Sequence, residues 1–182
     1  MSTLIIIDTK ENPIKLSAVR PANSKTNYEI ILTADALIGR NGTTYNKKEG
    51  DGKTPLGTFE LGIVFGKHHR KDIVLDESME YVKINNNLYW VDDSNSKYYN
   101  QLVDITKVNA DWNSAEHLSE YIIEYEYAIE IKTNPENIPG NGSAIFIHCS
   151  NGKETAGCIA IEKEKMKELI SKIDKTTKVI IK

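Results

Sequence analysis

Short runs rich in Ile, Val, Tyr and Phe recur along the chain, at Leu4–Ile7, Tyr28–Leu32, Thr58–Phe65, Tyr81–Val91, Ala128–Ile131, Ala144–Ile147 and Val179–Ile181. Clusters of Gly, Asn, Asp and Pro separate them, the pattern of short strands joined by turns. The period changes between Glu162 and Ile173. There Met166, Leu169, Ile170 and Ile173 fall at helical spacing among Lys and Glu, so the sequence predicts an amphipathic helix that covers one side of a sheet. A weaker helical pattern runs over Ser114–Tyr121. The expected fold is α+β, mainly β and mainly antiparallel, with a C-terminal amphipathic helix. No internal repeat, Pro-rich linker or low-complexity tract interrupts it, so a single domain over residues 1–182 is expected. The longest turn-rich segment, Gly39–Gly57, carries five glycines and one proline, and loops of this kind often shape a site.

Composition narrows the class. At 182 residues the chain can bury a core without disulfide or metal staples. It is 40% hydrophobic and 27% charged with a net charge of −3, which supplies no polycation for nucleic acid. The apolar run Leu4–Ile7 is too short for a signal-peptide core of about 7–15 residues or a membrane helix of about 20, so neither a membrane span nor an export signal is expected within these residues. Two cysteines, Cys149 and Cys158, do not make a disulfide scaffold. The basic run Lys67-His68-His69-Arg70-Lys71 reads as a solvated loop. Asp92-Asp93 is a poor carboxylate pair for glycoside hydrolysis, because adjacent residues point apart and that chemistry needs acids about 5–10 Å apart across a substrate.

His148 ends one apolar run, and Cys158 opens the next ten positions later. A thiol with an ordinary pKa near 8.5 is mostly protonated at neutral pH, and a neighbouring imidazole can take its proton to create a thiolate–imidazolium pair. If Ser143–Cys149 is a strand, alternation sends Ala144, Phe146 and His148 to one face and Ser143, Ile145, Ile147 and Cys149 to the other. His148 and Cys149 then diverge, which argues against a Cys149–Cys158 disulfide and against zinc bound by His117, His148, Cys149 and Cys158. The short loop Ser150–Ala156 returns the chain so that Cys158 can lie beside His148. Gly157 before the cysteine allows close backbone approach, and the N–H groups of Gly157 and Cys158 are candidate oxyanion donors. A backbone carbonyl can orient the imidazole as well as a carboxylate can. The spacing alone is equally compatible with a buried structural cysteine and a satisfied strand-end histidine.

The segment Gly142–His148 followed by Thr155-Ala156-Gly157-Cys158-Ile159 resembles the active-site motif of the YkuD-type L,D-transpeptidases. Glu49–Phe59 resembles one branch of that family. So does Trp90–Asp93, taken with Tyr98–Gln101 and Ser114–Leu118. The resemblance implies a β-rich, sandwich-type catalytic domain of bacterial cell-wall metabolism, located in the cell envelope or outside the cell. Its enzymes attack the bond between a diamino acid and D-Ala in a peptidoglycan stem peptide. Cys158 would be the nucleophile, His148 the base and the Cys149 carbonyl the group that orients His148, with Gly157 at the oxyanion site and Thr155 and Ala156 against substrate. No metal or organic cofactor is implied, and a monomer is expected. Hydrolysis of the same acyl-enzyme, or a non-catalytic wall-binding module, are the other outcomes this pattern allows. Two positions depart from the common pattern: Ala156 stands where a second histidine is usual, and Ala160 where an arginine often follows. His117 either replaces the missing imidazole, binds a substrate carboxylate, or packs structurally against Trp112 or a tyrosine. Arg40 and Lys53 are candidate contacts for substrate carboxylates.

Overall fold

The structure, a computed structural model, describes residues 2–22 and 27–182. Its strands are β1 (Leu4–Asp8), β2 (Lys15–Pro21), β3 (Tyr28–Leu37), β4 (Thr43–Thr44), β5 (Thr54–Pro55), β6 (Gly57–Gly66), β7 (Tyr81–Lys83), β8 (Leu88–Val91), β9 (Leu102–Asp104), β10 (Ala115–His117), β11 (Tyr127–Ile131), β12 (Phe146–Cys149), β13 (Ile159–Ile161) and β14 (Lys178–Ile181). One helix, α1 (Lys163–Ile170), lies between β13 and β14. The large sheet runs β11-β12-β13-β3-β2-β1-β14-β6-β7, and β6 also pairs with β11, so the strands close on themselves.

Closure depends on long strands that serve two neighbours. In β6 the first half, Gly57–Glu60, pairs with β14, and the second, from Leu61 to Gly66, pairs with β11. Just past this transfer, where the register with β11 shifts around Glu130, stands Gly62, where a Cβ would fall 1.8 Å from the Glu130 carboxylate. That carboxylate accepts the Ile63 N–H at 3.1 Å, which satisfies the backbone where the ladder shifts.

The sheet segment β11-β12-β13 is covered on both sides. On one side Ile129, Ile147, Cys149, Ile159 and Ile161 meet Met166, Leu169 and Ile170 of α1, together with β1 and β14, in the main core. On the other side Phe65, Trp90, Leu118, Tyr125, Ala128 and Phe146 form a second, aromatic cluster beneath the small sheet β10-β8-β9. Burial on both faces explains why β12 and β13 read as unbroken apolar runs rather than alternating ones.

Several expectations are corrected. The run Tyr81–Val91 is two strands, because Asn85-Asn86-Asn87 turns the chain and sends β8 into the small sheet. Ser114–Tyr121 is not an α-helix. It is β10, paired with β8, followed by a 3-10 turn at Leu118–Glu120 that drops Leu118 into the aromatic cluster. β2 was hidden by Ser17, Ala18 and Arg20, although Leu16 and Ala18 alternate into the core. The strand expected from Ser143 begins only at Phe146, since Ala144 takes φ +53°. The α-helix ends at Ile170, and Ile173 is buried in the turn that follows. Among the described residues no helix is long and apolar enough to cross a membrane.

Candidate active site

β12 and β13 run parallel, with Ile147 opposite Ile159 and His148 opposite Ala160. Cys158 immediately precedes β13 and lies alongside Phe146, whose N–H reaches Sγ at 3.3 Å. The thiol donates to the Ala144 carbonyl at 3.1 Å. Cys158 and His148 thereby share the aromatic side of the sheet, while Cys149 points into the main core with its Sγ 3.7 Å from the Tyr127 carbonyl. Both cysteines are free thiols.

His148 is 6% exposed, and its Nδ1 lies 2.8 Å from the Cys149 carbonyl. A carbonyl only accepts, so Nδ1 carries the hydrogen and Nε2 is left with its lone pair. Burial holds the imidazole below its usual range, against the opposing pull of that carbonyl and of Glu124. The Tyr125 ring meets His148 edge to face, with centroids 5.8 Å apart. The Cys158 thiol is pushed up to about 12, first by burial and then by Glu116, with the Phe146 N–H and Lys47 opposing. Both shifts favour the uncharged forms, a neutral thiol beside a neutral imidazole, over the thiolate–imidazolium pair that such neighbours can form. The sulfur hydrogen bonds run to Phe146 and Ala144 rather than to His148.

Two clefts meet at Cys158. The larger, about 250 Å³, is lined by Tyr121, Glu124, Tyr125, His148 and Thr155, with Glu116 and Ala156 at the junction. The smaller, about 110 Å³, is lined by Lys47, Glu49, Asp92, Glu116, Ser143 and Gly157 among others. Glu116 borders both clefts, and burial pushes its carboxyl up to about 7 although the Tyr125 hydroxyl donates to it. Lys47 is ion-paired with Asp51.

The turn into Cys158 is clamped by two threonines. Thr54 Oγ1 donates to the Gly157 carbonyl at 2.8 Å and accepts the Gly39 N–H at 2.9 Å. Thr155 Oγ1 donates to the Cys158 carbonyl at 2.7 Å and accepts the Gly157 N–H at 3.0 Å. Gly157 sits at φ +148°, and a Cβ there would fall 2.8 Å from the Lys53 carbonyl. Its need for glycine is thus a matter of backbone approach, and its N–H is already engaged.

The structure brings Cys158, His148, Thr155 and Ala156 to one place, with the Cys149 carbonyl holding the imidazole. It does not bring Arg40 or His117 there. Arg40 is exposed, and it holds the Cys158 turn only through its N–H, which donates to the Thr155 carbonyl at 2.9 Å. His117 stacks on Tyr89 at 4.3 Å and contacts Glu120 and the Asn86 carbonyl. In strand β10 it lies across the backbone from Glu116, so the carboxylate rather than the imidazole faces the thiol. Sequence reasoning missed Glu116, Lys47, Glu49 and Asp92 as lining residues. Reading Ala115–His117 as a strand would have put Glu116 and His117 on opposite faces and flagged the acid.

The L,D-transpeptidase catalytic domain family, YkuD, matches residues 2–181. No curated protein matches the chain significantly. Among solved structures, Bd1075 of Bdellovibrio bacteriovorus aligns at 18% identity over 99% of this chain and 47% of its own, with a TM-score of 0.51. A mutant L,D-transpeptidase of Enterococcus faecium aligns at 14% over 100% and 50%, TM-score 0.48. L,D-transpeptidase 1 of Mycobacterium tuberculosis aligns at 11% over 99% and 61%, TM-score 0.44. The chain spans about half the length of the first two and 61% of the third. With the family match covering nearly every residue, the chain belongs to the YkuD family of L,D-transpeptidase catalytic domains.

Proposed function

We propose that this chain catalyses peptidoglycan L,D-transpeptidation in the cell envelope, with Cys158 as nucleophile and His148 as general base. The observation that carries this reading is the shared cleft: a thiol and an imidazole on one sheet face, with Nδ1–H committed to the Cys149 carbonyl and Nε2 left as acceptor. In the first step the S–H swings from the Ala144 carbonyl to His148 Nε2 as sulfur attacks the carbonyl carbon of the stem's diamino acid. The C–N bond breaks, D-Ala leaves with the proton from the imidazolium, and a thioester remains. A second stem's amine then attacks the thioester, the new C–N bond replaces C–S, and the thiol regains its proton. Of the two amides expected at the oxyanion, that of Gly157 is engaged by Thr155 Oγ1, which leaves the Cys158 N–H as the assigned donor. The two clefts meeting at one sulfur suit a reaction that brings two stems to it.

Intact mass after incubation with a carbapenem-class β-lactam tests the nucleophile. An acyl adduct is expected in the wild type and in Cys149→Ser, and none in Cys158→Ser. An adduct that survives Cys158→Ser removes Cys158 from the mechanism. Incubation with a tetrapeptide-stem fragment then separates transfer, which yields a cross-linked dimer, from hydrolysis, which yields only tripeptide.

A further inference from the structure

The imidazolium that forms when His148 takes the Cys158 proton has little around it to offset its charge. His148 is 6% exposed, and its Nδ1–H goes to the neutral Cys149 carbonyl. A cation formed in such a place is disfavoured unless a negative charge stands within reach, because little water is there to solvate it. Glu116, Glu124 and Glu154 line the larger cleft together with His148. Their surroundings separate their roles. Glu116 takes the Tyr125 hydroxyl, and its charge acts on the Cys158 thiol, which burial first and then Glu116 push up. Glu154 and Lys153 are exposed neighbours of opposite charge, so water screens both and their fields oppose each other. Tyr121 and Tyr125 stay neutral phenols, pushed up first by burial. Glu124 differs from all of these. It is half-buried and begins the short turn Glu124–Glu126, which packs on β12, the strand that carries His148. Its Oε1 accepts from Asn151 Nδ2 at 2.6 Å, and Asn151 belongs to the loop between base and nucleophile. Among the described residues Glu124 enters no ion pair, so no resident cation neutralises it. Burial lowers the imidazole, and with the Cys149 carbonyl it is the charge of Glu124 that pulls it back up.

We propose that Glu124 is a positioning residue for the base, a carboxylate held in place by Asn151 that stabilises the imidazolium of His148 while Cys158 attacks. The inference rests on the reading of His148 as general base. The proton balance is unaltered: the S–H proton passes to Nε2 and then to the nitrogen of the leaving amine, and Glu124 neither gains nor loses one. In a Ser-His-Asp triad one carboxylate both fixes the tautomer and stabilises the imidazolium. Here the two tasks are divided, the Cys149 carbonyl fixing the tautomer by a hydrogen bond and Glu124 supplying the charge through space.

Glu124→Gln removes the charge and keeps an amide oxygen where Asn151 donates, so a merely structural role predicts no change. The titration of His148, followed by NMR of histidine-labelled protein, should move about one pH unit lower in this variant. The rate of carbapenem acylation from pH 5 to 9 should show the same displacement of its rising limb, with a plateau about threefold or more lower. Glu124→Asp keeps the charge and should recover at least half of the displacement. Asn151→Ala keeps the charge but frees the carboxylate towards water, so a smaller movement in the same direction is expected. A thermal melt checks each variant, and if Glu124→Gln does not fold, Asn151→Ala on its exposed loop decides by whether the titration moves. An unmoved titration overturns the proposal, and so does a slower acylation with the titration unmoved, which would be a structural effect. Failure of the transpeptidase reading looks different. A wild type that forms no adduct at Cys158, with the His148 titration still lower in Glu124→Gln, defeats the nucleophile and leaves the coupling of Glu124 to His148 standing.

Discussion

Ala144 offers its carbonyl to the Cys158 thiol from φ +53°, a backbone region that costs alanine about 1 kcal/mol. Asn100 holds it there. Its Oδ1 accepts the Ala144 N–H and the Trp90 indole N–H, both at 3.1 Å, and its Nδ2 donates to the Asn134 carbonyl and to Asn137 Oδ1 at the same distance. Every polar atom of that amide is used. Asn100→Ala strands two enclosed donors, so stability should fall by about 2 kcal/mol or more, read from the urea midpoint. Adduct formation at Cys158 should slow with it. A variant with an unchanged midpoint would show that Ala144 is held by something else. The neutral resting pair makes a second claim. His148, held below 6.5 by burial, should impose a rise in acylation rate through an apparent pKa below that value. Between there and pH 9 the rate should be flat, because a thiol pushed up to about 12 adds little thiolate. Adduct formation followed from pH 5 to 9 decides it, since a continued tenfold rise per pH unit above 8 would mean direct thiolate attack. His148→Ala should cost about 10²–10⁴-fold in the same assay.

The elements that carry the site are β12, β13 and the clamped turn between Thr155 and Cys158. Gly157→Ala adds a Cβ 2.8 Å from the Lys53 carbonyl and 3.1 Å from Ile145 Cδ1 at φ +148°, and the Lys53 backbone cannot yield cheaply. A loss of about 2–4 kcal/mol in unfolding free energy is expected, in the range of overpacking combined with backbone strain. If the loss is below about 0.5 kcal/mol, the turn is not locked as described. How legible these elements were depends on range. Alternation along Ile145–Cys149 already separated Cys149 from His148, since two successive residues of a strand cannot share a face. The helix at Lys163–Ile170 was legible for the same local reason, its apolar period being carried by Met166, Leu169 and Ile170. Glu116 and Asp92 were not legible. Their approach to Cys158 is set by the pairing of β10 with β8 and the docking of that small sheet over Phe146 and Tyr125, and a local pattern does not encode contacts between distant strands. His117 was misplaced because a three-residue strand followed by a 3-10 turn imitates a helical period.

On the scale of the whole molecule, the acid beside the thiol should mark the dependence of stability on pH. Glu116 titrates near 4.5 when unfolded, and in the fold burial pushes it up to about 7. Between those values the folded state holds a proton that the unfolded chain has released, so ΔG of unfolding declines as pH rises through the window. Stability associated with this carboxyl is fully present below 4.5 and is lost by the time pH passes about 7, a change of roughly 3 kcal/mol at about 1.4 kcal/mol per unit. His148 acts in the opposite sense. Its folded value lies below 6.5, so the unfolded chain takes the proton first as pH falls, and its contribution is lost on the acid side. The aspartates lowered by their hydrogen bonds finish titrating near 3.8, below this window. Cys149 and Cys158, raised from 9.0, act only above it. Glu130, also raised by burial, declines in parallel in any variant that retains it. Glu116→Gln keeps the size of the side chain and removes its proton. The difference in unfolding free energy between variant and wild type, measured in urea at intervals from pH 4.5 to 8, should grow steadily in favour of the variant and level off above about 7. A difference that stays constant across that range would mean that Glu116 is ionised in the fold throughout, and that the thiol faces a full negative charge at every pH at which the protein is folded.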